Sequence, residues 1–184
     1  MFKIITISGM LGSGKSTVAR LLAERLGYEY YSTGDAQREI ARQRGMTTLE
    51  LNHLADKDPS IDEAIDGVFK RFNAVPNKNF VIDSRMAFFF IPNSIKIKLD
   101  VNVEVAGERI FNDTKRSGER SYASVQDSVD ALRERRLSEV NRFQRIYHVN
   151  IDNNENFDYV LDTTYHTPEE VVDLIIKKFK LMKK

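Results

Sequence analysis

The chain has 184 residues, with 28 Lys plus Arg against 27 Asp plus Glu, a formal net charge of +1 and no cysteine. This length suits a single domain, residues 1–184, with its own core, and the lack of cysteine excludes a disulfide framework and a thiolate metal site. The near-zero net charge argues against a dedicated nucleic-acid or membrane-surface protein, and no apolar run approaches the ~20 residues that cross a bilayer, so a cytoplasmic location is expected.

A glycine-rich loop separates the first predicted strand from the first predicted helix. The strand is the apolar run at 2–8, the helix covers 16–26, and the letters GMLGSGKST at 9–17 fit G-x-x-x-x-G-K-[ST]. A glycine-rich turn can simply join a strand to a helix, but this order is the context that a phosphate-binding loop requires. Lys15 would reach the β- and γ-phosphates of a nucleotide, and the Ser16 hydroxyl would ligate a bridging Mg²⁺. The predicted nucleotide-binding residues here are Gly9, Gly12, Ser13, Gly14, Lys15, Ser16 and Thr17.

A helical insertion is predicted after the second strand. An aromatic strand at 28–31 precedes helices predicted over 36–44, 48–57 and 61–75. In a phosphate-loop fold, such an insertion is either a second substrate site or packing decoration. Arg38 follows closely on the carboxyl end of the strand, where open α/β sheets bind ligands, although a single arginine can equally belong to a solvated helix face.

The third predicted strand ends in an acid. Three apolar residues at 80–82 lead to Asp83, and a buried strand that delivers a carboxylate to a phosphate loop supplies the Mg²⁺ shell. The alternative is that Asp83 merely starts a turn. Arg85 falls beside the loop as a second candidate phosphate ligand, and the apolar run at 86–91 is either core or a wall against a nucleobase.

The rest of the chain alternates strands and helices. Strands are predicted at 95–101 and 158–163, and helices at 103–114, at 125–147 and after Thr167, with a charged loop at 115–120. The order predicts a P-loop NTPase fold of the α/β class, with three α/β/α layers around a five-stranded, mainly parallel sheet. The long helix interleaves acids with arginines, so an ordinary salt-bridged helix competes with a phosphate-binding one. Its arginines are Arg133, Arg135, Arg136, Arg142 and Arg145.

Among phosphate-loop proteins, a small kinase fits this chain best. A regulatory GTPase needs N-K-x-D behind a strand, and the nearest match, at 77–80, lacks the aspartate and precedes a strand. Motor and transporter ATPases are usually parts of larger assemblies. Phosphoryl transfer depends mainly on positioning and on neutralised charge, which arginines on separate elements can supply.

Seven stretches, at 4–24, 27–34, 58–62, 81–85, 133–135, 142–147 and 157–164, follow one another in an order that resembles the short, archaeal-type cytidylate kinases of the nucleoside monophosphate kinase family. The resemblance spans nearly the whole chain. It implies that ATP phosphorylates CMP or dCMP, with Mg²⁺, by direct in-line transfer without a covalent intermediate or a dedicated base. It also implies a core at 1–32, 76–108 and 146–184, an acceptor-binding insertion at 33–75, and a lid with flanking arginine helices at 109–145.

The resemblance further implies roles for single residues. Arg38 and Arg85 fall at positions that bind the acceptor monophosphate, and Arg109 lies beside the donor nucleotide. Asp83, at the end of the third predicted strand, is predicted to serve both the acceptor and the metal. The arginines implied to act on the transferring phosphoryl group are Arg133, Arg135 and Arg142, which join the motif residue Lys15 as the predicted catalytic set, and Arg116 and Arg120 would belong to the lid.

Two departures from the family pattern keep other functions open. Ser84 stands where the family commonly has glycine, and the run at 86–90 is more apolar than the hydrogen-bonding edge of a cytosine requires. A P-loop kinase of another small metabolite and a nucleotide-binding sensor without efficient transfer therefore remain as alternatives. A monomer is expected, with ATP and a nucleoside monophosphate as its partners and with neither nucleic acid nor membrane.

Overall fold

A computed structural model describes residues 3–72, 78–113 and 122–181. At its centre is a five-stranded sheet in the order β2-β3-β1-β4-β5, in which all four neighbouring pairs are parallel. The predicted five-stranded parallel sheet is therefore confirmed. The strands are β1 (Ile4–Gly9), β2 (Glu29–Ser32), β3 (Phe80–Asp83), β4 (Ile95–Asp100) and β5 (Tyr159–Asp162).

Helices cover both faces of the sheet. Residues Ile5 and Ile7 of β1 face α1 and α9, and they share a buried cluster there with Leu22 and Ile175. The opposite face carries a second cluster around Ile82, beneath α5 and α6. Burial of a single side chain of this kind contributes about 1.5–3 kcal/mol, so the two clusters hold the layers together. The helices are α1 (Lys15–Leu26), α2 (Thr33–Gln43), α3 (Thr48–Ala55), α4 (Pro59–Asp66), α5 (Phe69–Phe72), α6 (Ala87–Phe90), α7 (Val103–Phe111), α8 (Val125–Tyr147) and α9 (Pro168–Phe179).

Two predicted helix boundaries were wrong. Helix α2 begins at Thr33 instead of 36, because the Ser32 side chain accepts a hydrogen bond from the Asp35 N–H and so caps the helix earlier. The single helix predicted at 61–75 is two helices, since α4 ends at Asp66, with Gly67 as its C-cap, before α5 begins at Phe69. The remainder of that prediction, at 73–75, and the lid arginines Arg116 and Arg120 lie outside the described residues.

The carboxyl ends of the strands meet at one edge of the sheet. Ser32 lies in register with Asp83, and Asp83 lies in register with Ile7, two residues before the glycine loop. Parallel sheets bind ligands at this edge. The described part of the chain contains no helix with the length and apolarity needed to traverse a bilayer.

Candidate active site

The glycine loop between β1 and α1 forms an open anion cradle. Gly12 has a φ of +83°, and a Cβ at this position would stand 2.8 Å from the Cβ of Ala106 on α7, so only glycine fits there. Gly14 is the N-cap residue of α1, and no side chain caps that helix. The N–H groups of the first turn of α1 are thus left for a ligand, and the helix dipole favours an anion.

Lys15 is the first residue of α1 and carries the cation of the cradle. Its Nζ donates a hydrogen bond to the carbonyl oxygen of Met10 at 3.1 Å. Burial lowers the pKa of Lys15 to about 8, although the nearby Asp83 carboxylate acts in the opposite direction. A partly desolvated ammonium inside a loop of N–H groups is the arrangement expected for phosphate recognition.

Ser16 and Asp83 form a pair of oxygen ligands. The Ser16 Oγ donates to Asp83 Oδ2 at 2.5 Å, and the Tyr30 hydroxyl reaches the same oxygen at 3.4 Å. Asp83 is buried. Mg²⁺ prefers oxygen ligands, and at phosphate sites it takes one or two from the protein and the rest from phosphates and water. The pair fits that chemistry, and among the described residues no larger group of acids or histidines forms a self-sufficient metal cage.

A first cavity of about 240 Å³ lies on one side of the loop, between α7 and the start of α9. Arg109 spans its edge: one Nη donates to the Gly12 carbonyl at 3.3 Å, and the other donates to the carbonyl of Thr163 at 2.8 Å. Arg109 thus fastens the loop to the end of β5. Of the residues predicted to bind the donor nucleotide, this cavity is lined by Gly12, Ser13, Gly14, Thr17 and Arg109.

A second cavity lies on the other side of the loop, between it and α2, α3 and α8. The three arginines that line it come from different parts of the chain: Arg38 from α2, Arg85 from just after β3 and Arg135 from α8. The structure therefore brings six of the predicted site residues together here, namely Lys15, Ser16, Arg38, Asp83, Arg85 and Arg135. Gln37 and Thr48 line the same cavity.

Glu139 lies behind this cluster, and the sequence analysis did not identify it as a site residue. Its buried carboxylate lies 2.6 Å from the Nε of Arg85 and 3.1 Å from the Nε of Arg135. Burial alone would raise its pKa, but the charges of Arg85, Arg135 and Arg136 together outweigh burial and bring the pKa of Glu139 down to about 2. The spacing of Glu139 four residues after Arg135 indicates their pairing, but nothing in the sequence indicates the contact with Arg85.

Two further predicted residues have other surroundings. Arg133 is exposed and pairs with Glu104 at 2.8 Å and with Asp130 at 3.3 Å. Arg142 is only 2% exposed, with its Nε 3.0 Å from Asp62 and one Nη 2.9 Å from Asp56. Neither lines the second cavity, and their part in phosphoryl transfer stays a prediction.

Most of the apolar run after Arg85 is core, whereas Phe89 is 42% exposed. Met86 and Phe88 share a buried cluster with Phe143 and Ile151, and Ile91 belongs to the cluster beneath the sheet. No residue of 86–91 lines either cavity, so the interpretation of this run as a nucleobase wall gains no support. Gly9 ends β1 with a φ of +142°, and a Cβ there would meet the Leu99 carbonyl oxygen at 2.3 Å, so its part is to let the chain turn into the loop.

Solved structures share the fold. A shikimate kinase from Acinetobacter baumannii, in complex with shikimate, has a TM-score of 0.62 at 20% identity, covering 98% of this chain and 94% of that one. An uncharacterized protein from Eubacterium ventriosum has a TM-score of 0.71 at 18% identity, covering 97% and 98%. The architecture is that of the P-loop kinases.

Sequence similarity defines the family. Residues 4–165 match the cytidylate kinase-like family. The cytidylate kinase of Natronomonas pharaonis is 38% identical over 91% of this chain and 84% of its own length, and that of Methanocella arvoryzae is 34% identical over 98% and 99%. The chain belongs to the cytidylate kinase-like family, which confirms the resemblance seen in the sequence, and it is a nucleoside monophosphate kinase-like enzyme.

Another relative has a different name. An S-adenosylmethionine-dependent nucleotide dehydratase from Lacinutrix mariniflava is 37% identical over 96% of this chain. The chain spans only 36% of the length of that protein. The name describes the longer protein, so it does not identify the reaction of the matching part.

Proposed function

We propose that this protein transfers the γ-phosphoryl group of ATP to a nucleoside monophosphate, with CMP and dCMP as the preferred acceptors. The observation that carries the proposal is the pair of cavities that meet at the glycine loop. Gly12, Ser13, Gly14 and Thr17 line the first cavity, whereas the neighbouring Lys15 and Ser16 line the second. Two phosphorylated substrates bound on either side of one loop would bring their phosphates together at Lys15.

The chain's own residues supply the positioning. ATP would occupy the first cavity, beside Arg109, and its phosphates would follow the backbone N–H groups of the loop to Lys15. The acceptor phosphate would be held in the second cavity by Arg38 and Arg85, with Arg135 beside the transferring group. Arginine suits this task because its planar guanidinium can bind two phosphate oxygens at once.

The transfer needs no proton acceptor. An oxygen of the acceptor phosphate attacks the γ-phosphorus, and the bond from that phosphorus to the oxygen bridging the β- and γ-phosphates breaks, so that ADP leaves with the electron pair. Because the second pKa of a phosphate monoester is about 6, the attacking oxygen is already deprotonated near neutral pH. Mg²⁺ held by Ser16 and Asp83 would neutralise charge on the donor phosphates.

The preference for a cytosine base rests on family membership and on the lining of the second cavity. The base must present its hydrogen-bonding edge to polar groups, since an unpaired buried edge costs about 1–3 kcal/mol. Gln37 and Thr48 line that cavity, and both carry groups that donate and accept hydrogen bonds. The apolar run at 86–91, which argued against a cytosine in the sequence, is mostly core and lines neither cavity.

The direct test measures ADP release with Mg-ATP and each of CMP, dCMP, UMP, AMP, GMP and dTMP, with shikimate as a non-nucleotide acceptor. A preference for CMP or dCMP, with a diphosphate product identified by mass spectrometry, would support the proposal. Turnover with shikimate alone would favour a kinase of another small metabolite. Tight ATP binding without turnover on any acceptor would favour a nucleotide-binding sensor.

We further propose that the protein works as a monomer in the cytoplasm, with ATP and the monophosphate as its only partners. The nearly balanced charge of the chain supports the absence of nucleic-acid and membrane partners, because a nucleic-acid or membrane-surface protein normally carries a large positive excess. Sedimentation with and without both substrates measures the oligomeric state. A dimer that forms under assay conditions would contradict the monomer.

A further inference from the structure

Glu139 is an acid buried among cations at the back of the second cavity. It belongs to α8, is 3% exposed, and does not itself line the cavity. Both of its partners, Arg85 and Arg135, do line the cavity, and each is less than 15% exposed, at 14% and 13%. A buried carboxylate that contacts two arginines from different elements fixes where both guanidinium groups lie.

The contacts are made on one edge of each guanidinium. The Nε of Arg135 donates a hydrogen bond to one Glu139 oxygen at 3.1 Å. The Nε of Arg85 lies 2.6 Å from the other oxygen, as an ion pair without hydrogen-bond geometry. Within residues 3–72, 78–113 and 122–181, the terminal Nη atoms of these two arginines donate no hydrogen bond to the protein. A guanidinium held at Nε still offers both Nη atoms to a second anion.

Arg142, on the same helix α8 as Glu139, differs because its Nη atoms also contact the protein. Arg142 uses its Nε on Asp62, one Nη on Asp56 and on the Asn52 carbonyl, and the other Nη on the Asn52 side chain. Both Nη atoms of Arg142 therefore donate hydrogen bonds to the protein, and its Nε lies beside a carboxylate as an ion pair. Arg85 and Arg135 engage one edge only, and both face the cavity with Lys15 and Ser16.

We propose that Glu139 is a positioning residue for the acceptor phosphate, because it holds Arg85 and Arg135 by their Nε edges so that their Nη atoms can bind the phosphate oxygens. The proposal deepens the proposed function and rests on its assignment of the second cavity to the acceptor. Glu139 also offsets part of the repulsion that Lys15, Arg38, Arg85 and Arg135 exert on one another before the phosphate arrives.

The test compares Glu139→Gln with wild type and with Glu134→Gln, a matched change of an exposed acid on the same helix. Glu139→Gln keeps the side-chain shape and removes the charge. We expect the KM for CMP and the Kd of CMP without ATP to rise by about 10-fold, with the Kd of ATP within about two-fold, while Glu134→Gln changes none of these. An equal loss of affinity for ATP and CMP, or no loss of affinity for either, would overturn the proposal.

A double-variant cycle separates positioning from a general structural defect. If Glu139 acts partly through Arg135, the change Glu139→Gln should weaken CMP binding less once Arg135→Ala is present, because only Arg85 is then left to position, whereas fully additive losses would contradict it. If Glu139→Gln does not fold, Glu139→Asp keeps the charge but retracts it by one carbon, and it should still weaken CMP binding selectively. Wild-type CMP affinity in Glu139→Asp would refute the proposal.

The binding assays keep this proposal separate from the proposed function. If wild type phosphorylates none of the nucleotides tested, the kinase assignment fails, yet isothermal titration with inorganic phosphate still tests the site. Phosphate binding that weakens in Glu139→Gln but not in Glu134→Gln supports the positioning role. Phosphate binding that is identical in the two variants, or absent from wild type, contradicts it.

Discussion

The arginine pair Arg85 and Arg135 differs from Arg142 in what the guanidinium groups contact. Arg85 and Arg135 share Glu139 and line the second cavity. Arg142, about two helical turns after Arg135, is buried against Asn52, Asp56 and Asp62 from α3 and α4 and the turn between them. Arg85 and Arg135 therefore have nitrogen atoms that remain available to a ligand, whereas the hydrogen bonds of Arg142 join the helical insertion to α8.

The difference teaches that charge alone does not identify a phosphate-binding arginine. Arg142 meets two carboxylates and two oxygens of Asn52, so an arriving phosphate would have to displace favourable contacts. Arg85 and Arg135 share a single carboxylate, which leaves net positive charge at the cavity. We expect substitution of Arg85 or Arg135 to impair substrate use, and substitution of Arg142 to lower stability.

The largest expected effect is on stability and comes from Arg142→Met. This change leaves the buried Asp62 without its cation, and breaking a buried ion pair in this way costs about 3–5 kcal/mol. Urea denaturation measures the free energy of unfolding. The matched change Arg133→Met, on the exposed face of the same helix, should cost less than about 1 kcal/mol. If Arg142→Met instead unfolds like wild type but loses kcat, Arg142 belongs with the cavity arginines and the comparison fails.

The next effect is on catalysis and comes from Lys15→Ala. Removing a group that stabilises charge in the transition state lowers kcat by about 10²–10³-fold. Because burial already disfavours the Lys15 ammonium, as its pKa of about 8 indicates, the free energy of unfolding should not fall. Steady-state kinetics at saturating ATP and denaturation measure the two quantities, with the exposed Lys57→Ala as control. A wild-type kcat in Lys15→Ala would show that Lys15 does not stabilise the transition state, and the catalytic role of the glycine loop would be contradicted.

Much of the fold and part of the site followed from local pattern. A glycine loop between a strand and a helix, and a buried strand ending in Asp83, define the loop and its acid without knowledge of the tertiary structure. The different surroundings of Arg135 and Arg142 could not be predicted from the sequence, because a spacing of about two turns puts both residues on similar faces of α8. What distinguishes them is Asn52, 90 residues away from Arg142, and a buried Glu139 whose second partner lies on another element.

The smallest expected effect is on the pH dependence of stability. It tests whether water is excluded from the interface between the helical insertion and α8 at a second position, away from Arg142. Asp66 on α4 accepts a hydrogen bond from the Tyr147 hydroxyl on α8 at 2.9 Å. Burial raises the pKa of Asp66 to about 7, although the Tyr147 hydrogen bond acts against the rise. In the unfolded chain the pKa of an aspartate is about 3.9, so the folded state binds more protons between the two values. Asp66 therefore stabilises the fold at acidic pH, and that contribution disappears as the pH rises through about 7.

The change Asp66→Asn should flatten this dependence. In wild type, Asp66 contributes a decrease in the free energy of unfolding of up to about 1.4 kcal/mol per pH unit between about pH 5 and about pH 7, and in Asp66→Asn that contribution is missing because the amide does not titrate. Urea denaturation across this range measures the slopes, and the exposed Asp130→Asn on α8 should keep the wild-type slope. Parallel slopes in wild type and Asp66→Asn would mean that Asp66 is ionised and hydrated in the folded protein. Water would then reach the interface that Arg142 joins, and the contrast between a closed arginine and two open ones would lose its physical basis.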